Sequence, residues 1–203
     1  MSAAGRLEPP VLEGPRIRLE PLSLEHLPGL CEVGLEPELW RFTTNRVGSD
    51  GEMREYVETA LQWQRDGTAV PFATMDRQSG RVIGCTRFAN IDLAHLRAEI
   101  GWTWLGRQWQ RTHANTEAKY LMLEHAFERW QLQRVELKTS ALNLPSRRAI
   151  ARIGALEEGT LRRHMINSDG SSRDTVYFSI IAEEWPAAKR RLAGMIGGDP
   201  PVS

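Results

Sequence analysis

The chain has 203 residues, 41% of them hydrophobic and 26% charged, with only two cysteines; this is the make-up of a soluble globular chain of single-domain size. Lys+Arg and Asp+Glu each total 26, so the formal charge is zero, which argues against a general nucleic-acid scaffold. No apolar run approaches the roughly 18 residues of a membrane span, the N-terminus lacks a basic-then-apolar leader, and nothing calls for a disulfide between Cys31 and Cys85, so a cytoplasmic location is expected.

Residues 1–15 carry Pro9, Pro10 and Pro15 and read as an arm. Arg16 to Leu22 alternates with period two, a strand, and Ser23 stands where it would cap a helix running to about Gly34. Asp50 opens a helix with Met53, Val57, Ala60, Leu61 and Gln64 at helical spacing. Pro71–Met75 and Arg81–Asn90 read as strands of a hairpin around Asp76 to Gly80, and Leu96–Trp104 as a further strand. A polar loop from Gly106 to Ala114 then opens into a helix from Asn115 to Trp130, amphipathic through Ala118, Met122 and Ala126. Arg134–Ala141 is a strand with Val135, Leu137 and Thr139 on one face. Pro145 and Gly154 bracket a helix, Leu156–Arg162 and Asp174–Ile181 are strands, and Pro186 opens a last helix to about Met195. There is no internal repeat and no linker, so the reading is one α+β domain over 16–195 with a tail at 196–203.

The strand–loop–helix at 96–130 is the most informative stretch. A loop that opens straight into a helix gathers unpaired backbone N–H groups at the positive end of the helix dipole, a recipe for holding phosphate. Arg111 adds a cation beside it. The plainer alternative is that Thr112 or Asn115 merely caps the helix. The loop lacks the glycine patterns of nucleotide hydrolases and dinucleotide folds. A second segment, Asn143 to Ala155, follows a strand at a suitable distance, and the two together point to an enzyme that holds a phosphorylated cofactor and works on something beside it.

From about Arg16 to Leu192 the chain resembles the GCN5-related N-acetyltransferases of the RimJ/RimL type. The resemblance rests on Glu99-Ile100-Gly101-Trp102, the loop 110–115, Glu117-Ala118, Ala126-Phe127-Glu128, Asn143 with Ser146, Gly154, Glu158-Gly159 and Asp174 to Tyr177. It implies a three-layer α/β/α fold: a twisted, mostly antiparallel mixed sheet, splayed centrally, with flanking helices. It also implies acetyl-CoA as co-substrate, without a metal, and direct attack by a primary amine. The implied cofactor contacts are Trp104 and Leu105 along the pantetheine arm, Gln110, Arg111, Thr112, His113, Ala114, Asn115 and Thr116 around the pyrophosphate, and Asn143 and Ser146. His113 and Asn115 stand where the family's loop usually has glycine, so backbone contacts should carry over while those side chains point away.

Acetyl transfer needs a base for the amine, donors for the developing oxyanion and a proton for the departing thiolate. The tyrosine that many relatives use as the acid is replaced by Ile150. Ser146 fits the RimJ/RimL alternative and could bond the sulfur, although Asn143 as N-cap and Ser146 in the first turn are equally ordinary helix-start chemistry. For the base, His164 is the nearest titratable group after Glu158-Gly159, and an imidazole suits neutral pH. Glu99 is a second candidate, expected by alternation to face away from Ile100 and Trp102, and a water chain a third. Trp102 and Trp104 share a strand face, and core packing is expected for at least one.

The acceptor, a peptide N-terminus or a small-molecule amine, would lie between residues 23–65 and the strands near 160–180. Neither nucleic acid nor membrane is expected as a partner, and the protein should be a monomer or homodimer. Two other readings stand beside this one: an acyl-CoA-binding protein without transferase activity, and a helix-turn-helix module built on Ser146 to Gly154, which would need a recognition helix straight after Gly154.

Overall fold

The computed structural model describes residues 8–197. One sheet of eight strands organises them, in the order β1-β2-β3-β4-β5-β6-β8-β7. The strands are β1 (Leu12–Glu13), β2 (Ile17–Pro21), β3 (Ala69–Asp76), β4 (Val82–Asp92), β5 (Arg97–Leu105), β6 (Arg134–Ser140), β7 (Leu156–Ile166) and β8 (Ser172–Ile181). Every neighbouring pair is antiparallel except β5 and β6. The helices are α1 (Leu27–Gly34), α2 (Pro37–Trp40), α3 (Asp50–Arg65), α4 (Ala114–Glu124), α5 (Leu144–Arg152) and α6 (Trp185–Gly197).

The helices cover the two faces of the sheet separately. On one face Ala114, Ala118 and Met122 of α4, Ile150 of α5 and Leu192 of α6 pack with Phe88, Ile100, Val135 and Phe178 from the strands. On the other, Leu30, Trp40, Met53, Tyr56 and Val57 pack with Ala73, Cys85 and Trp104. This is the expected three-layer arrangement, each helix burying the apolar stripe that its sequence spells out.

Several expectations shift in detail. Within the expected arm, Leu12 and Glu13 pair with Leu19 and Arg18 and extend the sheet; residues 1–7 and 198–203 lie outside the described ones. The helix α2 has no counterpart in the sequence reading, because four residues are too few to show a period. A 3₁₀ turn at Leu24–His26 precedes α1, and there the ring of His26, in place of a carboxylate, accepts from the Ser23 N–H at 3.1 Å. The expected helix 115–130 closes as α-helix at Glu124 and continues as a π turn over His125–Arg129. Strand β7 runs on to Ile166 and so includes His164. The last helix reaches Gly197, into the expected tail. After Gly154, at φ +101°, the chain enters β7, so no recognition helix follows and the helix-turn-helix reading falls.

Candidate active site

Strands β5 and β6 pair in parallel over three residues only, Arg97 to Glu99 against Arg134 to Glu136. Beyond Glu99 they diverge. Two features force this. First, β5 carries a bulge: Cys85 faces Trp104 and Arg87 faces Gly101, so Trp102 and Thr103 both lie opposite Thr86. Second, Trp102 adopts φ +49°, a left-handed conformation that a bulky residue keeps only when its surroundings hold it. Trp63 packs edge-on against its ring at 5.3 Å, the Arg87 guanidinium lies 5.3 Å over it, and the Tyr56 hydroxyl donates to its carbonyl at 3.4 Å. Burial pushes the Tyr56 phenol up to about 12, so it stays a donor.

The bulge also resets the faces of β5. Alternation alone opposes Glu99 to both Ile100 and Trp102. In the structure Ile100 belongs to the α4 side, whereas Trp102 and Trp104 both pack into the α1–α3 side, as core packing for at least one of them requires.

The divergence opens a cleft of about 1050 Å³ that is lined from both faces of the sheet. Its α4–α5 end is bounded by Thr103, Trp104 and Leu105 of β5, by Gln110, Arg111 and Thr112 of the loop, and by Asn115, Lys119, Asn143, Ser146, Arg148 and Arg152. Its other end is bounded by residues 38–40 and 42–45, Tyr56, Glu99, Lys138, Met165 and Arg173. The lining carries Arg111, Lys119, Lys138, Arg148, Arg152 and Arg173 against only Glu38 and Glu99, a balance that favours an anionic ligand.

The loop is organised differently from the sequence reading. His113 takes the N-cap position of α4 at φ −63°, and its side chain makes no cap; the Ala114 N–H instead donates to the Thr112 hydroxyl at 3.2 Å. The left-handed residue is Arg111, at φ +62°, so neither replaced glycine position needs a positive φ. His113 lies outside the cleft, beside Arg16 and Asp76, where burial lowers its pKa. Ala114 is in the core. The Thr116 hydroxyl accepts from Arg152 at 2.6 Å and thereby ties α4 to α5. Gln110 donates to the Leu105 carbonyl at 3.1 Å and fixes the end of β5.

Of the candidate proton-transfer groups, Ser146 and Glu99 line the cleft. Asn143 is the N-cap of α5 and accepts from the Ser146 N–H at 3.1 Å. The Ser146 hydroxyl is half-buried and makes no hydrogen bond among the described residues. Glu99 is buried; its Oε2 accepts from Asn90 at 2.7 Å and pairs with Lys138 at 2.9 Å. His164 is exposed on β7, edge-on to Tyr177 at 5.6 Å, and is not among the cleft residues.

Among the cleft residues that escaped the sequence reading, two stand out by their burial. Lys119 is buried, donates to the hydroxyls of Thr103 at 2.6 Å and Thr86 at 3.4 Å, and has no carboxylate partner among the described residues. Burial pulls its pKa down to about 7. Its signal was present: a lysine three residues before Met122 sits on the apolar stripe of α4. Arg173 is buried as well, reaching across to the Phe42 carbonyl at 3.3 Å; nothing in its local sequence sets it apart.

Among the described residues no group of three or more His, Cys, Asp or Glu is disposed to hold a metal ion, and no helix is long and apolar enough to cross a membrane.

The model of the acetyltransferase (GNAT) domain matches residues 16–156. An N-acetyltransferase of Bacillus licheniformis, p20, is 28% identical over 84% of the chain and 95% of its own length. The crystal structure of a GCN5-related N-acetyltransferase from Brucella melitensis superposes with a TM-score of 0.87 at 31% identity, covering 94% of this chain and 86% of that one. Mycobacterium smegmatis RimJ, solved in complex with CoA-disulfide, superposes with a TM-score of 0.80 at 25% identity, covering 93% and 96%.

Proposed function

Since the chain belongs to the GNAT acetyltransferases and is an N-acetyltransferase that uses acetyl-CoA, we propose that it transfers the acetyl group to a primary amine, a peptide N-terminus or a small-molecule amine, by direct attack within the splayed cleft. The observation that carries this reading is the cleft itself: it opens at the β5 bulge, is rich in cations, and joins the two faces of the sheet so that a thioester from one side and an amine from the other can meet.

Acetyl-CoA supplies the activated acyl group. On the protein side, the backbone of Trp102 to Leu105, beyond the pairing with β6, offers a strand edge beside the arm of the cofactor. Its N–H groups would donate to the acyl oxygen as charge develops there. The backbone of residues 111–115 at the start of α4, with Arg111 and the other cleft cations, provides for the phosphates. His113 and Ala114 serve through their backbones, and Asn115 presents its side chain to the cleft edge. Asn143 holds the first turn of α5 and thereby presents Ser146, whose hydroxyl, without another partner among the described residues, is the donor to the departing sulfur. In Glu99 Asn90 and Lys138 hold Oε2, and Oε1, which has no hydrogen bond among the described residues, is the oxygen to receive the incoming ammonium; the proton then leaves by Glu99 or by water. His164, exposed on β7, is left as an outer group.

A purified sample tests this directly. Acetyl-CoA should bind by calorimetry and thiol release should rise with added primary amines. Binding without thiol release from any amine favours the alternative, a non-catalytic acyl-CoA-binding protein; absence of both removes the cleft from the account.

A further inference from the structure

We propose that the acceptor amine carries a carboxylate and that Arg173 receives it, an inference that rests on the acetyl-transfer reading above and narrows its substrate class. Arg173 is 8% exposed, lines the cleft, and uses one of its five N–H donors, from Nη1 to the Phe42 carbonyl at 3.3 Å. Its Nε is buried without a partner, and no carboxylate ion-pairs with it directly among the described residues; Glu99, already paired with Lys138, acts on it only through space. A desolvated, under-bonded guanidinium is costly. A latch onto one carbonyl would need only a single neutral donor, so the charge calls for a second explanation.

The neighbouring cations differ from it. Lys138 is paired with Glu99 at 2.9 Å. Arg87 also has unpartnered nitrogens, but it is enclosed by the rings of Tyr56, Trp63 and Trp102 at 5.0–5.3 Å and does not line the cleft. Arg173 is therefore the cation at the acceptor end with no direct ion pair, and its Nη2, which has no partner among the described residues, is the donor available beside Nη1 to a ligand in the cleft. A planar guanidinium matches a carboxylate in a two-bond fork. On the same wall Glu99, whose Oε2 is held by Asn90 and Lys138, keeps Oε1 without a hydrogen bond among the described residues as an acceptor for an ammonium, so the acceptor end can take a molecule with both groups. The carboxylate could be the α-carboxylate of a free amino acid or the side chain of an acidic first residue in a peptide.

Paired acceptors separate these sources in an acetyl-CoA-dependent thiol-release assay: an amino acid against its α-amide, and a peptide amide beginning with Asp or Glu against one beginning with Asn or Gln. One carboxylated member should exceed its neutral twin by about tenfold or more in kcat/KM, and which pair shows it identifies the source. Arg173→Gln should raise KM for that acceptor by about tenfold to a hundredfold while kcat and the KM for acetyl-CoA stay within about twofold. Arg173→Lys should recover part of the loss. The inference is overturned if the wild-type protein treats both members of each pair alike or acetylates only neutral amines. It is likewise overturned if Arg173→Gln weakens neutral and carboxylated acceptors equally. Those wild-type comparisons need no variant to fold. If acetyl-CoA neither binds nor turns over with any amine, the acetyl-transfer reading fails instead and takes this inference with it.

Discussion

The two ends of the cleft are built in different ways. The α4–α5 end is assembled from contiguous segments, the edge of β5 left unpaired by β6, the loop into α4 and the first turn of α5, with the cations Arg111, Lys119, Arg148 and Arg152 around them, all from residues 102–152. The opposite end is assembled from side chains far apart in the chain, with Phe42 before α3, Glu99 on β5, Lys138 on β6 and Arg173 on β8. In the proposed reading, backbone geometry would recognise what every acetyl-CoA molecule shares, and would tolerate changes of side chain such as His113 and Asn115 at the usual glycine positions. Side chains from distant segments would recognise what differs between acceptors. The contrast assigns a common chemistry to one end and specificity to the other.

Substitutions can sharpen or break this contrast. The largest effect is expected from Ser146→Ala, which should lower kcat by about a hundredfold, as loss of a general acid does, with acetyl-CoA affinity little changed. Thiol-release kinetics and calorimetry read the two quantities separately, and unchanged turnover would take Ser146 out of the chemistry.

Lys119→Met should stabilise the fold at neutral pH by an amount on the order of a few kcal/mol, because it removes a buried cation that has no carboxylate partner. The sign follows from its lowered pKa: between about 7 and the ordinary lysine value of 10.5 the unfolded chain holds more protons than the native one. Wild-type stability should therefore rise with pH across that window, and the advantage of the variant should shrink. Denaturant titrations at pH 7 and pH 10 measure this; an advantage that grows with pH would contradict it. Asn143→Ala removes the cap of α5 and should cost about 1 kcal/mol of stability in urea titrations, with turnover falling as the Ser146 turn loosens. The smallest effect is expected from His113→Ala. That side chain faces away from the cleft, so acetyl-CoA affinity should change by less than about twofold, within ordinary surface variation; a large loss would mean that the loop binds through its side chains after all.

The α4–α5 end was the more legible from sequence, for a physical reason. A strand, a polar loop and an amphipathic helix each write their period locally, and Asn143, Pro145 and Gly154 mark a helix start and stop by rules that need no tertiary information. The bulge was not legible. A tryptophan at positive φ violates local preference and is held there by Tyr56, Trp63 and Arg87, from other elements, so alternation placed Trp102 on the wrong face. The Lys119 site was half legible, as a lysine on an apolar stripe, but its two threonine partners come from β4 and β5. Arg173 was illegible: its meaning depends on Phe42, 131 residues away. The same logic explains the expectation for His164, which adjacency in sequence suggested and which the extended run of β7 leaves exposed.

In the proposed reading the divergence of β5 from β6 beyond Glu99 forms the acetyl-CoA site, and the backbone at the start of α4 holds its phosphates. A crystal structure of the complex with acetyl-CoA tests it most directly. The account expects the pantetheine arm along Trp102 to Leu105, the pyrophosphate against the N–H groups of residues 111–115, and the sulfur within hydrogen-bonding reach of the Ser146 hydroxyl. Acetyl-CoA bound outside the cleft, or held in it with the phosphates away from the start of α4, would contradict it.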